Sequence, residues 1–261
     1  MRQYLFSHVL IAGSYITLMF SSCIGPAISD PYIVAQSRQE ENYYYAPSSH
    51  NAPLLKEKND ISVSVQRSAS SMHSGIELQS AYLPAKHIGI ISSFSSGGNK
   101  KDHDLNYDKL ELGAGYILSV GKRWHFEAYG GFGGGKIDNE HYTGRSVIKS
   151  NYFFVQPAIA VSNENQTVQF GFVSKLTGNH FNVAFDGFDK DREPYSASQV
   201  QLLKDEPFHI FWEPGIVFRF GWKNCMFHTG YSISADLTRA ELHRPKDNFS
   251  LGMHLTFNTG K

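Results

Sequence analysis

Four glutamates each stand alone between apolar or small neighbours: Glu77 between Ile76 and Leu78, Glu111 between Leu110 and Leu112, Glu127 between Phe126 and Ala128, and Glu213 between Trp212 and Pro214. Arg219 sits in the same way between Phe218 and Phe220, His209 between Phe208 and Ile210, and His125 between Trp124 and Phe126. Lys175, His228 and His254 occupy comparable places. A charge set among such neighbours has to be paired or hydrogen-bonded once it leaves water. Carboxylates, cations and imidazoles together leave two chemistries open. One is a structural network of ion pairs; the other is a path for protons or ions.

A second group lies between Thr177 and Pro207. His180, Asp186, Asp189, Asp191, Ser196 and Ser198 are the residue types of serine hydrolysis. A triad is defined by geometry, and nothing in their spacing specifies one, so catalysis is not expected. Asp189, Asp191 and Glu193 offer oxygen ligands at alternate positions, but a calcium loop needs Gly next and Pro194 stands there. No metal site is expected. Gly130-Gly131-Phe132-Gly133-Gly134-Gly135 departs from the dinucleotide pattern, and no helix follows it. These glycines read as strand positions that allow bending and close side-chain approach, and no cofactor is expected. With Lys+Arg 24 against Asp+Glu 24, nothing points to nucleic acid. Phe181, Phe185, Phe188 and Tyr195 share the same long connection. Aromatics there either form a binding surface for an extracellular protein or glycan, or fold back over what lies beneath.

The elements that must position these residues follow from period-two alternation. Strand-like runs are expected at Ile61–Gln66, Ile76–Tyr82, His87–Ser95, Leu110–Val120, Trp124–Gly133, Phe153–Val161, Val168–Leu176, Phe208–Phe220, Phe227–Ser234 and Phe249–Phe257. In each, one set of positions is large and apolar, and the other is mostly Gly, Ala, Ser, Gln, Glu or His. Tight turns are expected at 84–86, 121–123, 163–166 and 222–224. Longer loops are expected at 68–74, 96–106, 137–150, 177–207 and 236–246, with a short helix over 198–204.

The polar set decides which face is outside. A sheet facing water carries more Lys, Glu and Thr and fewer Gly, whereas small residues suit a crowded barrel interior. The apolar face is therefore expected outward, against lipid. The opposite arrangement, a soluble lipocalin-like barrel, would turn it inward. A mean hydropathy of −0.32 is compatible with lipid contact, because only alternate residues of a barrel strand meet the membrane. No run of about 18 apolar residues follows the amino-terminal segment.

The last strand resembles the carboxy-terminal assembly signal of bacterial outer-membrane barrels, with Ser250, Gly252, Leu255 and Phe257 in register. It departs by adding Asn258 to Lys261. At the other end Arg2, the apolar stretch Tyr4–Phe20 and then Ser21-Ser22-Cys23 resemble a bacterial lipoprotein signal, although Phe20 stands where Leu is usual. That resemblance implies acylation of Cys23; cleavage after Ser29 is the alternative. The even strand number and the alternation of short and long connections suit the same class.

The chain thus resembles small outer-membrane β-barrel proteins of Gram-negative bacteria. The expected domains are a signal peptide at 1–22, a periplasmic tether at 23–59 and an antiparallel up-and-down barrel of about ten strands at 60–261. The resemblance implies a non-enzymatic surface or envelope protein that meets outer-membrane lipid and the barrel assembly machinery. Its amino terminus is expected to be periplasmic. A membrane enzyme, a narrow transporter and a lipid-anchored soluble barrel remain alternatives.

Overall fold

The computed structural model describes residues 42–259, apart from 49, 72, 100–103, 122, 142–143, 189–190, 223 and 239–241. Cys23 and the signal-like segment lie outside the described residues. Everything described belongs to one compact unit, Gln39–Lys261.

The strands are β1 (Asp60–Ala69), β2 (Ser74–Ala85), β3 (Ile88–Asn99), β4 (Asp104–Val120), β5 (Trp124–His141), β6 (Gly144–Ser162), β7 (Val168–Asp186), β8 (Phe208–Trp222), β9 (Cys225–Ile233), β10 (Ala235–Asp236) and β11 (Asp247–Asn258). Each pairs antiparallel with the next from β1 to β9, and β9 pairs with β11. The barrel closes between β11 and β1, from Ile61 opposite Phe257 to Ala69 opposite Phe249. Ten strands make the wall, and two-residue β10 adds to β8 at one mouth. Closure leaves no unpaired edge. The helix α1 (Pro194–Asp205) lies between β7 and β8. Pro194 begins it, a position where its missing N–H costs nothing.

The alternation expected from sequence is the alternation of the wall. The apolar set points outward, with Phe132 76% exposed, Trp222 71% and Ile76 63%. The polar set points inward and is buried. A water-soluble barrel is built the other way round. Glycines on the inner set make room for rings: a Cβ at Gly133 would collide with Tyr152 from the neighbouring strand. The β6–β7 ladder skips from Val155–Leu176 to Ala158–Val173 in unchanged register, beside Pro157, which has no N–H to give; its register shifts only between Val147 and Ile148.

The connections differ from expectation at one end. The tight turns lie where expected, but the expected loops at 96–106 and 137–150 are largely strand, and that at 177–207 begins as strand. β3 runs to Asn99 and β4 starts at Asp104; β5 and β6 stay paired to His141 and Gly144; β7 continues to Asp186. In these extensions the outward residues turn polar, as at Lys136, Asp138, Glu140 and Arg145, while Ile137, Asn139, Ser146 and Ile148 stay inward and buried. Beyond an apolar band the outer face need not be apolar, so the contrast that marks a strand in the sequence disappears.

The larger correction concerns the stretch expected to be a tether. Its described residues from Asn42 to Leu55 are all buried, and they lie inside the barrel.

Candidate functional site

The site is the lumen and the peptide segment that fills it. At the loop mouth, Asn42 donates from Nδ2 to Ser196 Oγ at 3.1 Å, and the Tyr44 amide donates to the His243 carbonyl at 3.0 Å. Asn139 donates to the Tyr43 carbonyl at 3.1 Å. The Tyr43 ring lies 5.1 Å from that of His73 and 6.5 Å from that of Tyr107. Farther in, Lys109 Nζ donates to the Ala46 carbonyl at 2.8 Å, and the Tyr45 hydroxyl donates to Glu213 at 3.0 Å. Ser48 donates to Glu111 at 3.3 Å and accepts from Lys175 at 3.1 Å.

Toward the turn mouth the wall grips backbone. Gln156 donates to the Asn51 carbonyl at 2.8 Å, and Arg219 donates to those of Ala52 (2.5 Å) and Pro53 (3.5 Å). Leu54 follows with φ 55°, a left-handed conformation that a bulky residue adopts only where its surroundings impose it. Arg219 grips the two preceding carbonyls and so holds the backbone leading into Leu54. Leu55 packs with Leu83, Ile91, Ile117 and Tyr129, and Lys56 reaches Ser162 at 3.3 Å.

These contacts show where the expected inward charges go. Glu77, Glu111, Glu127, Glu213, Arg219 and His209 are all buried on the inner wall. They do not form one network. Glu111 is a hub: it pairs with Lys175 at 2.5 Å and accepts from Tyr152 at 3.0 Å and Ser93 at 2.9 Å. Glu213 answers Tyr45 of the plug. Arg219 holds plug carbonyls and donates from Nε to His228 Nδ1 at 3.1 Å. His209 stands apart at the loop mouth, 3.1 Å from Asp236. Burial works against the Asp236 charge, but hydrogen bonds from His209 and Thr238 hold its carboxyl below the usual range.

The residues considered for hydrolysis are dispersed. His180 is exposed, Ser196 is buried against Asn42, Ser198 donates to the Tyr195 carbonyl at 2.7 Å, and Asp186 pairs with Lys204 at 2.5 Å. The second ring nitrogen of His209 lies 3.1 Å from the Glu206 carbonyl. Of the oxygen-ligand run, Asp189 lies outside the described residues, Asp191 is exposed and Glu193 is buried at the start of α1.

The loop aromatics divide. Phe181 and Phe188 are buried, packed with Tyr44, Tyr45, Val200, Leu203 and Phe211; Phe185 is 52% exposed and Tyr195 half-buried against His243. The first two fold back over the mouth, and α1 lies on them with Ser196, Ala197, Val200 and Leu203 inward. Ser250 is buried in the lumen, Phe257 is outward, and Gly252 and Leu255 lie between them on the closing strand.

The plug itself is what sequence reasoning missed. Tyr43, Tyr44 and Tyr45, with Ala52, Pro53, Leu54 and Leu55, are too apolar for a solvated linker, and that was the available signal.

No protein-family profile and no curated protein matches the chain. Among solved structures it is similar to the N-terminal β-barrel domain of Pseudomonas aeruginosa OprF, at 8% identity and TM-score 0.38, over 77% of this chain and 98% of that one. It is similar to the translocator domain of the Neisseria meningitidis autotransporter NalP, at 10% identity and TM-score 0.39, over 75% and 87%. It is also similar to the Yersinia pestis attachment protein Ail, at 12% identity and TM-score 0.30, over 77% and 100%. These are loose likenesses between barrels.

Proposed function

We propose that this chain is a bacterial outer-membrane β-barrel that spans the membrane as a closed, non-enzymatic envelope protein, with its loop end facing outward as a contact surface. The observation that carries this reading is the sidedness of the wall. Large apolar residues point outward on all ten barrel strands, while Glu77, Glu111, Glu127, Lys175, Glu213 and Arg219 point into a lumen filled by the chain's own residues 42–55. Lipid is the solvent that such an outer face fits, and closure satisfies every strand edge within it.

The contact surface is the end that carries the β5–β6 extension and α1, and its partner class is an extracellular protein or glycan. Assembly into the membrane uses the closing strand with Ser250, Gly252, Leu255 and Phe257. Acylation of Cys23 is a separate part of the proposal, read out by incorporation of labelled palmitate that Cys23→Ala abolishes.

The test is electrophoresis of the outer-membrane fraction with and without boiling. A closed lipid-embedded barrel resists detergent until heated, so its mobility shifts. An unshifted band, with the protein recovered in the soluble fraction, overturns the reading.

A further inference from the structure

The direction of the plug assigns a side to the chain that leads into it. Asn42, Tyr43 and Tyr44 bond to Ser196, Asn139 and His243, all at the mouth that carries α1 and the longer connections. Ala46 and Ser48 meet Lys109, Glu111 and Lys175 at mid-height. Ala52, Pro53 and Leu55 meet Arg219, Leu83 and Ile117. Asn59 then donates to the Leu83 carbonyl at the opposite mouth, among the tight turns, and β1 begins. The segment therefore crosses the barrel once, from the loop mouth to the turn mouth. An extended chain advances about 3.3–3.6 Å per residue. Residues 42–55 are thus long enough to cross an apolar band about 25 Å tall.

We infer that the barrel threads its own amino-terminal chain through the lumen, so that the residues leading into Asn42 stand on the loop side of the membrane. The inference rests on the membrane reading above and reverses the periplasmic side expected from the signal-like start. Contacts along the whole length fix the direction of the segment, because the wall donors are matched to particular carbonyls. Beside His50 the described residues leave no room for a second pass next to the first. Every described residue of the plug is buried, and the void next to His50, lined by Val217, His228, Ser232, Asn248 and Ser250, has a volume of only 10 Å³. That is about the space of one water. The barrel thereby acts as a display scaffold: a polypeptide attached ahead of the plug is held at the loop face by a segment gripped along the full depth of the wall.

The experiment places one epitope in three full-length variants: between Gln39 and Glu40, in the β7–α1 connection at Gly187, and in the β6–β7 turn at Glu164. Antibody binding is measured on intact and on permeabilised cells, and each variant is checked for the heat-dependent mobility shift. The membrane reading requires the Gly187 epitope to be bound on intact cells and the Glu164 epitope only after permeabilisation. Given that difference, the inference expects the epitope at position 39 to be bound on intact cells, like that at Gly187. Binding there only after permeabilisation overturns the inference and leaves the membrane reading standing. Equal accessibility at Gly187 and Glu164 overturns both. Where the insertion at 39 blocks folding, Glu41→Cys in a Cys225→Ser background, labelled with a membrane-impermeant maleimide against the unsubstituted background, reads the same side.

Discussion

The most consequential single residue in the lumen is Glu111. It is buried, it neutralises Lys175, and it accepts from Tyr152, Ser93 and the plug's Ser48. Removing one partner of such a pair leaves a buried charge uncompensated, a loss of about 3–5 kcal/mol. Glu111→Gln is therefore expected to lower the unfolding temperature of the heat-shifted band sharply. The double variant Glu111→Leu/Lys175→Met is expected to recover at least half of that loss, as seen by the same band. A second residue-scale consequence concerns pH. His73 is buried in the β1–β2 loop, where burial and then the Lys109 cation push its pKa down to about 4. Around it stand Tyr43 of the plug, Tyr107 of β4, and Ser70, whose hydroxyl is 2.8 Å from Nδ1; Glu77 lies near Tyr107. The unfolded chain takes up a proton near pH 6.5 that the folded loop refuses. Stability from this site is thus complete above 6.5 and falls as pH drops toward 4, by up to about 3 kcal/mol. The unfolding temperature should drop less between pH 7.5 and 4.5 in His73→Gln than in the unsubstituted protein; equal drops would remove His73 as a contributor.

At the scale of elements, the strands were legible because lipid-facing and lumen-facing positions differ in kind at every step. All ten barrel strands lie where alternation puts them, and the tight turns fall between them. What the sequence did not show is where the strands end at the loop mouth. At Lys136-Ile137-Asp138-Asn139-Glu140 the outward residues are polar and the inward ones are mixed, so nothing separates strand from loop. The fate of the loop aromatics was equally hidden, because burial of Phe181 and Phe188 depends on Tyr44 and Tyr45 arriving from a distant part of the chain. Gly133 on the inner set follows a different logic, since it makes room for the Tyr152 ring of the adjacent strand. Gly133→Ala would push a methyl group into the Tyr152 ring and draw its hydroxyl from Glu111. A destabilisation of about 1–3 kcal/mol is expected from that overpacking. Gly134→Ala, whose Cβ would meet nothing nearer than 3.3 Å, is the matched control. Exchanging glycine for alanine in a strand interior stabilises by about 0.5–1 kcal/mol. The two variants should therefore move the unfolding midpoint in opposite directions, and a shared direction would mean that the Gly133–Tyr152 fit does not govern the wall.

For the molecule as a whole, the plug decides what a ten-stranded wall can be. Eight strands close around an interior that side chains alone can fill. Two more widen the lumen, and here one extended segment takes the added space. The inward charges could be read from the sequence, but not their partners: Lys109, Arg219, Glu213 and Gln156 are all satisfied in part by residues 45–53. A barrel sealed in this way should pass no steady current in a planar bilayer. At Gly215 the plug lies close against the wall, since a Cβ there would come within 2.6 Å of His50 Cε1. Gly215→Leu should push the plug from the wall, and Arg219→Met with Lys109→Met should release its carbonyls at two heights. Each variant, confirmed as folded by its heat-dependent shift, is expected to show ion conductance that the parent lacks. A peptide spanning residues 42–55, added to the Arg219→Met/Lys109→Met barrel, should not block that current, because the donors that hold it are gone; added to a barrel lacking residues 42–55 with the wall intact, it should. Conductance in the unsubstituted protein, or none in any folded variant, would mean that something other than this segment sets whether the lumen is open.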